Sequence, residues 1–164
     1  MEAMKAPAFT KDYWRYISIA AKSFPSHLPF IIWVSCVKGA DVLVCKFNGE
    51  IIGGCTLTTV PLNVYRAKNL FSLAKRRSFK KLLGDRYRYL TYVVIDKKYR
   101  GKGFGLKMMM MAREKFDMKS YLTPVTAGSQ NFYIKCGAAI YKTTDGETLD
   151  GLNSPVMVFQ ENVK

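Results

Sequence analysis

The chain has 164 residues, 49% of them hydrophobic and 23% charged, which suits one core and is too short for two domains of ordinary size. Wholesale disorder, collagen-like repeats and low-complexity architecture are excluded. Lys and Arg outnumber Asp and Glu by 26 to 12, and a net charge of +14 favours polyanionic partners such as nucleic acid, phosphorylated ligands or anionic lipid without bearing on the fold.

The opening residues, Met1-Glu2-Ala3-Met4-Lys5, do not lead into the apolar run expected of a secretory leader. Residues 10–23 read as an amphipathic helix, with Thr10 as N-cap and Tyr13, Tyr16, Ile17, Ala20 and Ala21 at helical spacing. A second helix is expected from Pro29 to Val37, ending near Gly39. The apolar run Leu28 to Val37 has about half the ~20 residues that a membrane helix needs. Asp41 to Phe47 and Ile51 to Thr58 are β-rich runs joined by Asn48-Gly49-Glu50, a strong hairpin signal. Gly53 and Gly54 inside the second run point to a bulge or a close backbone approach.

Residues 61–88 carry no strand pattern. They hold nine Lys and Arg against Asp85 alone, a surplus of eight within the chain's fourteen, and read as a basic, part-helical surface insertion. Tyr89 to Ile95 reads as a buried strand, and Phe104 to Asp117 as a helix apolar on most sides that packs deeply. Its methionine run is adaptable core filler. Tyr121 to Thr126 is a strand interrupted by Pro124, and Gln130 to Lys135 a short helix ended by Gly137. Ala139 to Thr143 and Val156 to Gln160 are the closing strands. There are no repeats, heptads or linkers.

The four cysteines form no C-x-x-C pair, and with His27 as the one histidine there is no zinc-type spacing, so no metal is expected. Cys45 and Cys55 read as small buried hydrophobes, and Cys136, without a histidine partner, as a buried residue rather than a nucleophile. The simplest reading is a reduced, soluble, cytoplasmic protein without membrane association.

The chemistry concentrates where strand Val93-Val94-Ile95 runs through Asp96-Lys97-Lys98-Tyr99 into Arg100-Gly101-Lys102-Gly103-Phe104-Gly105 and then a helix. The first turn of a helix presents unsatisfied N–H groups and a positive dipole end. Glycines let the backbone approach a ligand closely, and Arg100 and Lys102 add charge. These are the parts of a phosphate or pyrophosphate cradle. A bare glycine turn with incidental basic residues is the bland alternative. Neither the P-loop pattern nor G-x-G-x-x-G fits: the third glycine would fall on Leu106 or Met108.

Arg100-Gly-Lys-Gly-Phe-Gly105 resembles the [RQ]-x-x-G-x-[GA] acetyl-coenzyme A signature of the GCN5-related N-acetyltransferases. Asn131-Phe-Tyr-Ile-Lys-Cys-Gly137 resembles that family's second motif, about thirty residues downstream, and the order of elements fits along nearly the whole chain. Lys97 stands where proline is frequent, and Thr126 where the second motif often has Asn. The resemblance implies a single α/β domain over residues 1–164, with a mixed, mostly antiparallel sheet of six or seven strands and helices on both faces. It implies acetyl transfer from acetyl-coenzyme A to an amine by direct attack. Lys102 to Gly105 would hold the pyrophosphate by backbone N–H groups, with Arg100 and Lys102 adding charge and Gly101 shaping the turn. The Val93, Val94 and Ile95 backbone would pair with the pantetheine arm and supply an oxyanion-type donor. Tyr133 would protonate the leaving thiolate, or else pack beside Phe132. Asn131 either substitutes for the missing Asn or does not.

No general base is evident. Asp96 reads as a turn or cap residue, Glu50 as solvated in the hairpin turn, and His27 as a surface or helix-start residue. The acceptor side is read from the basic segment: a nucleic-acid-linked amine, such as that of an aminoacyl-tRNA, or an acidic peptide suits it better than a polyamine. Tyr65, Phe71, Phe79, Tyr87 and Tyr89 interleave aromatics with the cations there, as core packing or as stacking platforms. Association as a homodimer is left open. The alternative from another class is a non-catalytic nucleic-acid-binding module on the same fold.

Overall fold

The computed structural model describes residues 1–59, 87–116, 119–124, 126–142, 146, 148 and 155–159. The basic stretch 61–88 lies outside them except for Tyr87 and Arg88, and Arg88 already belongs to a strand. The described strands are β1 (Glu2–Lys5), β2 (Asp41–Phe47), β3 (Glu50–Thr58), β4 (Arg88–Ile95), β5 (Ser120–Leu122), β6 (Ala139–Ile140) and β7 (Met157–Phe159). The described α-helices are α1 (Lys11–Ser23), α2 (Leu28–Cys36), α3 (Phe104–Phe116) and α4 (Ala127–Lys135). The strands form a mixed sheet in the order β1-β2-β3-β4-β5-β7-β6. The pairs β1/β2, β2/β3, β5/β7 and β6/β7 are antiparallel, and β4/β5 is parallel. The expected mixed α/β sheet is therefore present, with seven strands.

Two compact units divide the chain, Met1–Val60 with Leu90–Asp117, and Pro61–Tyr89 with Met118–Lys164. In the first, α1 starts at the expected cap: Thr10 Oγ1 accepts from the Tyr13 amide at 3.3 Å, and Asp12 and Lys22 sit at the ends that suit the helix dipole. Its buried face is Tyr13, Tyr16, Ile17, Ile19 and Ala20. Strand β1 is not expected from the sequence. Four residues with charged ends carry too little pattern, and pairing with β2 (Ala3 opposite Cys45, Met4 opposite Val44) is what makes them a strand. Helix α3 also departs from expectation. It buries Met108, Met109 and Ala112, while Met110 is 57% exposed.

The hairpin turns at Asn48 (φ 51) and Gly49 (φ 79), the two positive values of a type I′ turn, and pairs Phe47 with Glu50. Further along, Cys45 faces Gly53 and Lys46 faces Ile51, so Ile52 is an extra residue and β3 bulges there. The bulge turns the Ile52 carbonyl toward the end of β4, where it accepts from the Asp96 amide at 2.7 Å. A Cβ on Gly53 would run into the Val94 carbonyl, and one on Gly54 into the Leu43 carbonyl and, at 2.8 Å, the Tyr16 ring.

Tyr16 has no room to yield. It is fully buried, and its hydroxyl bonds Thr56 Oγ1 at 3.0 Å and donates to the Tyr92 carbonyl at 3.1 Å. Burial holds its phenol far above the ordinary range. Gly54→Ala is therefore expected to destabilise by about 3 kcal/mol through overpacking. Gly49→Ala, where open space surrounds the Cβ but φ is positive, should cost about 1–2 kcal/mol. Urea midpoints of the two variants check this; equal losses would refute the steric account.

The second unit centres on Tyr89, Tyr121, Val156 and Val158, with Tyr87 and Tyr141 packed against them. Tyr89 and Tyr121 meet edge to face at 5.0 Å, and Tyr89 Oη bonds Thr123 Oγ1 at 2.8 Å. The aromatics Tyr87 and Tyr89 thus pack a core rather than stand free. Helix α4 starts three residues before the expected Gln130, because Thr126 and Ser129 form a reciprocal capping box. It ends before Gly137, whose φ is 84.

Candidate coenzyme site

The glycine turn after β4 is assembled by contacts from four directions. Asp96 caps it, its Oδ1 accepting from the Lys98 amide at 3.3 Å while Oδ2 pairs with Arg15 of α1 at 3.1 Å. This is the turn role expected of it. Tyr99 and Arg100 amides donate back to the Asp96 and Lys97 carbonyls, closing one 3-10 turn. Lys98 Nζ and Tyr99 Oη both reach Glu50 Oε2, at 2.8 and 3.2 Å, which pins the hairpin tip to the turn. The hydrogen bond from Lys98 holds the Glu50 carboxyl below its ordinary range, and Glu50 in return raises the Lys98 ammonium. Glu50 is thus exposed, as expected, but ion-paired.

Behind the turn, Phe104 packs on Phe47 at 4.8 Å and on Tyr99 at 5.7 Å, with Phe47 and Tyr99 at 6.2 Å. This three-ring cluster holds the first residue of α3 in place. Phe47 carries no sign of it in the sequence, since its partners lie tens of residues away.

Arg100 Nε donates to the Ile95 carbonyl at 2.8 Å and its Nη2 to Ser23 Oγ at 2.7 Å. Both bonds run back into the fold, so the guanidinium fastens the strand end to α1 while its charge stays beside the turn. Gly101 (φ 75) and Gly103 (φ 76) then adopt the left-handed conformation, and among the described residues a Cβ on either would meet nothing within 4 Å. The first α3 hydrogen bond is Lys107 N–H to the Gly103 carbonyl, at 3.1 Å. The N–H groups of Phe104, Gly105 and Leu106 consequently have no acceptor within the helix. A 13-residue helix thus aims its positive end, with Lys102 exposed beside it, at open space. The arrangement fits an anionic phosphate group.

Val93, Val94 and Ile95 are the last residues of β4 before the turn. The β4/β5 ladder consists of Arg88 opposite Ser120 and Tyr89 opposite Tyr121, and β4 runs on to Ile95. Tyr92, just before Val93, has φ 48 inside the strand, although burial alternates regularly from Leu90 to Ile95. Asn131 and Tyr133 lie on α4 in the second unit. Asn131 is exposed; Tyr133 is half-buried, its ring 5.1 Å from Phe132 and 6.5 Å from Phe159. Thr126, at the family's Asn position, is the cap of that helix.

Cys45, Cys55 and Cys136 are buried, as expected, and Cys36 is exposed. Among the described residues no group of three His, Cys, Asp or Glu could hold a metal, and no helix is long and apolar enough to cross a membrane.

A mixed sheet whose central strand runs into a glycine turn and the N-terminus of a helix defines an α/β protein with an open, basic backbone turn at the end of that strand. The profile described as "Acetyltransferase (GNAT) family" matches residues 7–138, and the chain belongs to that family. GCN5 from Tetrahymena is similar in fold, with a TM-score of 0.65 at 12% identity over 99% of both chains. An aminoglycoside 6'-N-acetyltransferase complexed with coenzyme A gives 0.62 at 9% identity, over 100% of this chain and 99% of that one. ElaA from Escherichia coli gives 0.58 at 13%, over 98% and 100%. No curated protein sequence matches the chain.

Proposed function

We propose that the protein transfers an acetyl group from acetyl-coenzyme A to an amine acceptor. The observation that carries the reading is the turn at Gly101 and Gly103, which opens the N-terminus of α3 to an anion with no side chain in the way. Membership of the acetyltransferase family, and coenzyme A in a structure of the same fold, support it. Lys102, Gly103, Phe104 and Gly105 hold the pyrophosphate by their N–H groups, and Gly101 gives the turn its direction. Lys102 and Arg100 add charge, Arg100 through a guanidinium already anchored on Ile95 and Ser23. Val93, Val94 and Ile95 offer backbone groups to the pantetheine arm, one N–H polarising the acyl carbonyl, a contribution of roughly 3 kcal/mol. Bound acetyl-coenzyme A supplies an acyl carbon open to attack by a neutral amine. Tyr133 is the acid for the departing thiolate, a role that rests on the motif Asn131 to Gly137.

The acceptor is read from charge. A surplus of eight positive charges in residues 61–88 repels a polyamine and favours an amine carried by a polyanion, such as an aminoacyl-tRNA, or by an acidic peptide. If the carrier is nucleic acid, affinity falls steeply with salt. Replacing Lys75, Arg76, Arg77, Lys80 and Lys81 by alanine should flatten the slope of log K against log[salt] by about 1 for each phosphate no longer neutralised, with acetyl-coenzyme A affinity unchanged. Fluorescence anisotropy with labelled tRNA and single-stranded DNA over a salt series measures this. An unchanged slope assigns the basic segment another role. The whole reading is tested by calorimetric titration with acetyl-coenzyme A, followed by incubation with labelled acetyl-coenzyme A and cell lysate to find the fraction that takes the label. Absence of coenzyme binding would leave a non-catalytic nucleic-acid-binding module, which the same basic segment favours.

A further inference from the structure

His27 ends the 3-10 turn Pro25–His27 and stands at the N-cap position of α2, yet its side chain makes no capping hydrogen bond. Its ring goes to β4 instead, with Nδ1 3.2 Å from Tyr92 Oη. Tyr92 is the strand residue with φ 48, directly before Val93, and is 9% exposed. Around its ring, Phe24 lies edge-on at 5.4 Å, His27 at 6.1 Å and Phe30 at 6.5 Å, and Phe24 stacks on His27 at 6.3 Å. Two phenylalanine rings thus flank a phenol–imidazole pair at the left-handed residue of β4. A left-handed conformation is unfavourable for a tyrosine inside a strand. The Tyr16 hydroxyl on the Tyr92 carbonyl keeps it there. Strain held by a second hydrogen bond, in the strand that ends at the coenzyme turn, calls for a use.

We propose that Tyr92 and His27 form the amine station of the acetyltransferase proposed above, on which this inference rests. The substrate class is a primary alkyl-ammonium group. Aromatic faces attract such a cation, and Phe24 and Phe30 line its alkyl part. An ammonium has no lone pair for attack and must first lose a proton. Tyr92 Oη accepts that proton as its own passes to His27 Nδ1. The amine is left neutral with its lone pair free, the phenol is restored and the imidazole carries the charge, so the net transfer is one proton and the total charge is conserved. Of the charged and titratable groups, Tyr16 of α1 donates to the Tyr92 carbonyl, and Arg100 of the glycine turn bonds Ser23, four residues before His27 in sequence.

The relay requires Nδ1 to be an acceptor, hence the neutral ring to carry its proton on Nε2. Because His27 is the one histidine, ¹⁵N-histidine labelling of the full chain gives a single imidazole spin system. At pH 8 the Nε2–H tautomer is expected. A proton on Nδ1 overturns the proposal. n-Butylammonium chloride should produce a saturable shift of the imidazole resonances that sodium chloride at equal ionic strength does not. No such shift removes the amine station. In Tyr92→Phe, which keeps the ring, the apparent affinity for n-butylammonium should fall about tenfold or more, as expected on losing a hydrogen bond to a charged group. An unchanged response in that variant also refutes the station. Calorimetry with acetyl-coenzyme A on the same samples separates the two readings. If the coenzyme fails to bind while the amine response stands, the transferase reading falls and the amine site remains. If the coenzyme binds and the amine response is absent, the reverse holds.

Discussion

Gly103→Val is expected to raise the dissociation constant for acetyl-coenzyme A by about 100-fold or more while the protein still folds. Two effects combine. Gly103 has φ 76, where a β-branched residue is strongly disfavoured, so the turn shifts and the N–H groups of the following residues lose their common aim. The new side chain also enters the space in front of the helix end, where a glycine Cβ would meet no protein atom within 4 Å. That open space is also why the fold survives. No core residue is displaced, and the penalty is confined to a strain of about 1–3 kcal/mol in an exposed turn. The aromatic contacts of Phe104 with Phe47 and Tyr99 hold the helix start independently. Calorimetry on a variant with wild-type circular dichroism decides the matter; an unaltered dissociation constant would place the pyrophosphate elsewhere. Arg100→Ala should behave differently. It removes charge but no amide, so coenzyme binding weakens modestly, while the loss of the bonds to Ile95 and Ser23 shows in the melting temperature.

The contrast between these two residues separates what is legible in the sequence from what is not. Glycines between an apolar strand and an apolar helix announce an open backbone turn, because such a turn depends on residues adjacent in the chain. The Asn48-Gly49 hairpin, the Thr10 cap and the bulge beside Gly53 and Gly54 are legible for the same reason: each depends on two or three adjacent residues. The partnerships are not. Nothing in Glu50 points to Lys98 and Tyr99, nothing in Phe47 to Phe104, and nothing in His27 to Tyr92, since each depends on how distant segments pack. Arg100 illustrates the difference within one residue. Its charge is readable, but its hydrogen bonds turn to Ile95 and Ser23, the latter 77 residues away in sequence. Strand β1 escapes notice on the same ground, for an edge strand of four residues takes its conformation from its neighbour.

Tyr133→Phe is expected to lower kcat by about 100-fold with little change in acetyl-coenzyme A affinity. A phenol and a thiol ordinarily titrate near ~10 and ~8.5, close enough for a phenol to protonate a thiolate from which water is excluded. Removing the hydroxyl deletes the acid and leaves the binding surface unaltered. The structure makes this substitution informative, because the Tyr133 ring also has a packing role. It lies edge-on to Phe132 at 5.1 Å and to Phe159 at 6.5 Å, and Phe159 is fully buried. Phenylalanine keeps both ring pairs, so the unfolding midpoint should hold even as turnover falls. Tyr133→Ala would remove ring and hydroxyl together and confuse the two roles. The readout is thiol release under saturating coenzyme and acceptor, set beside thermal unfolding of the same preparation. Turnover equal to wild type in a variant of equal stability would assign the tyrosine to packing against Phe132 and Phe159, and leave the thiolate to take its proton from water.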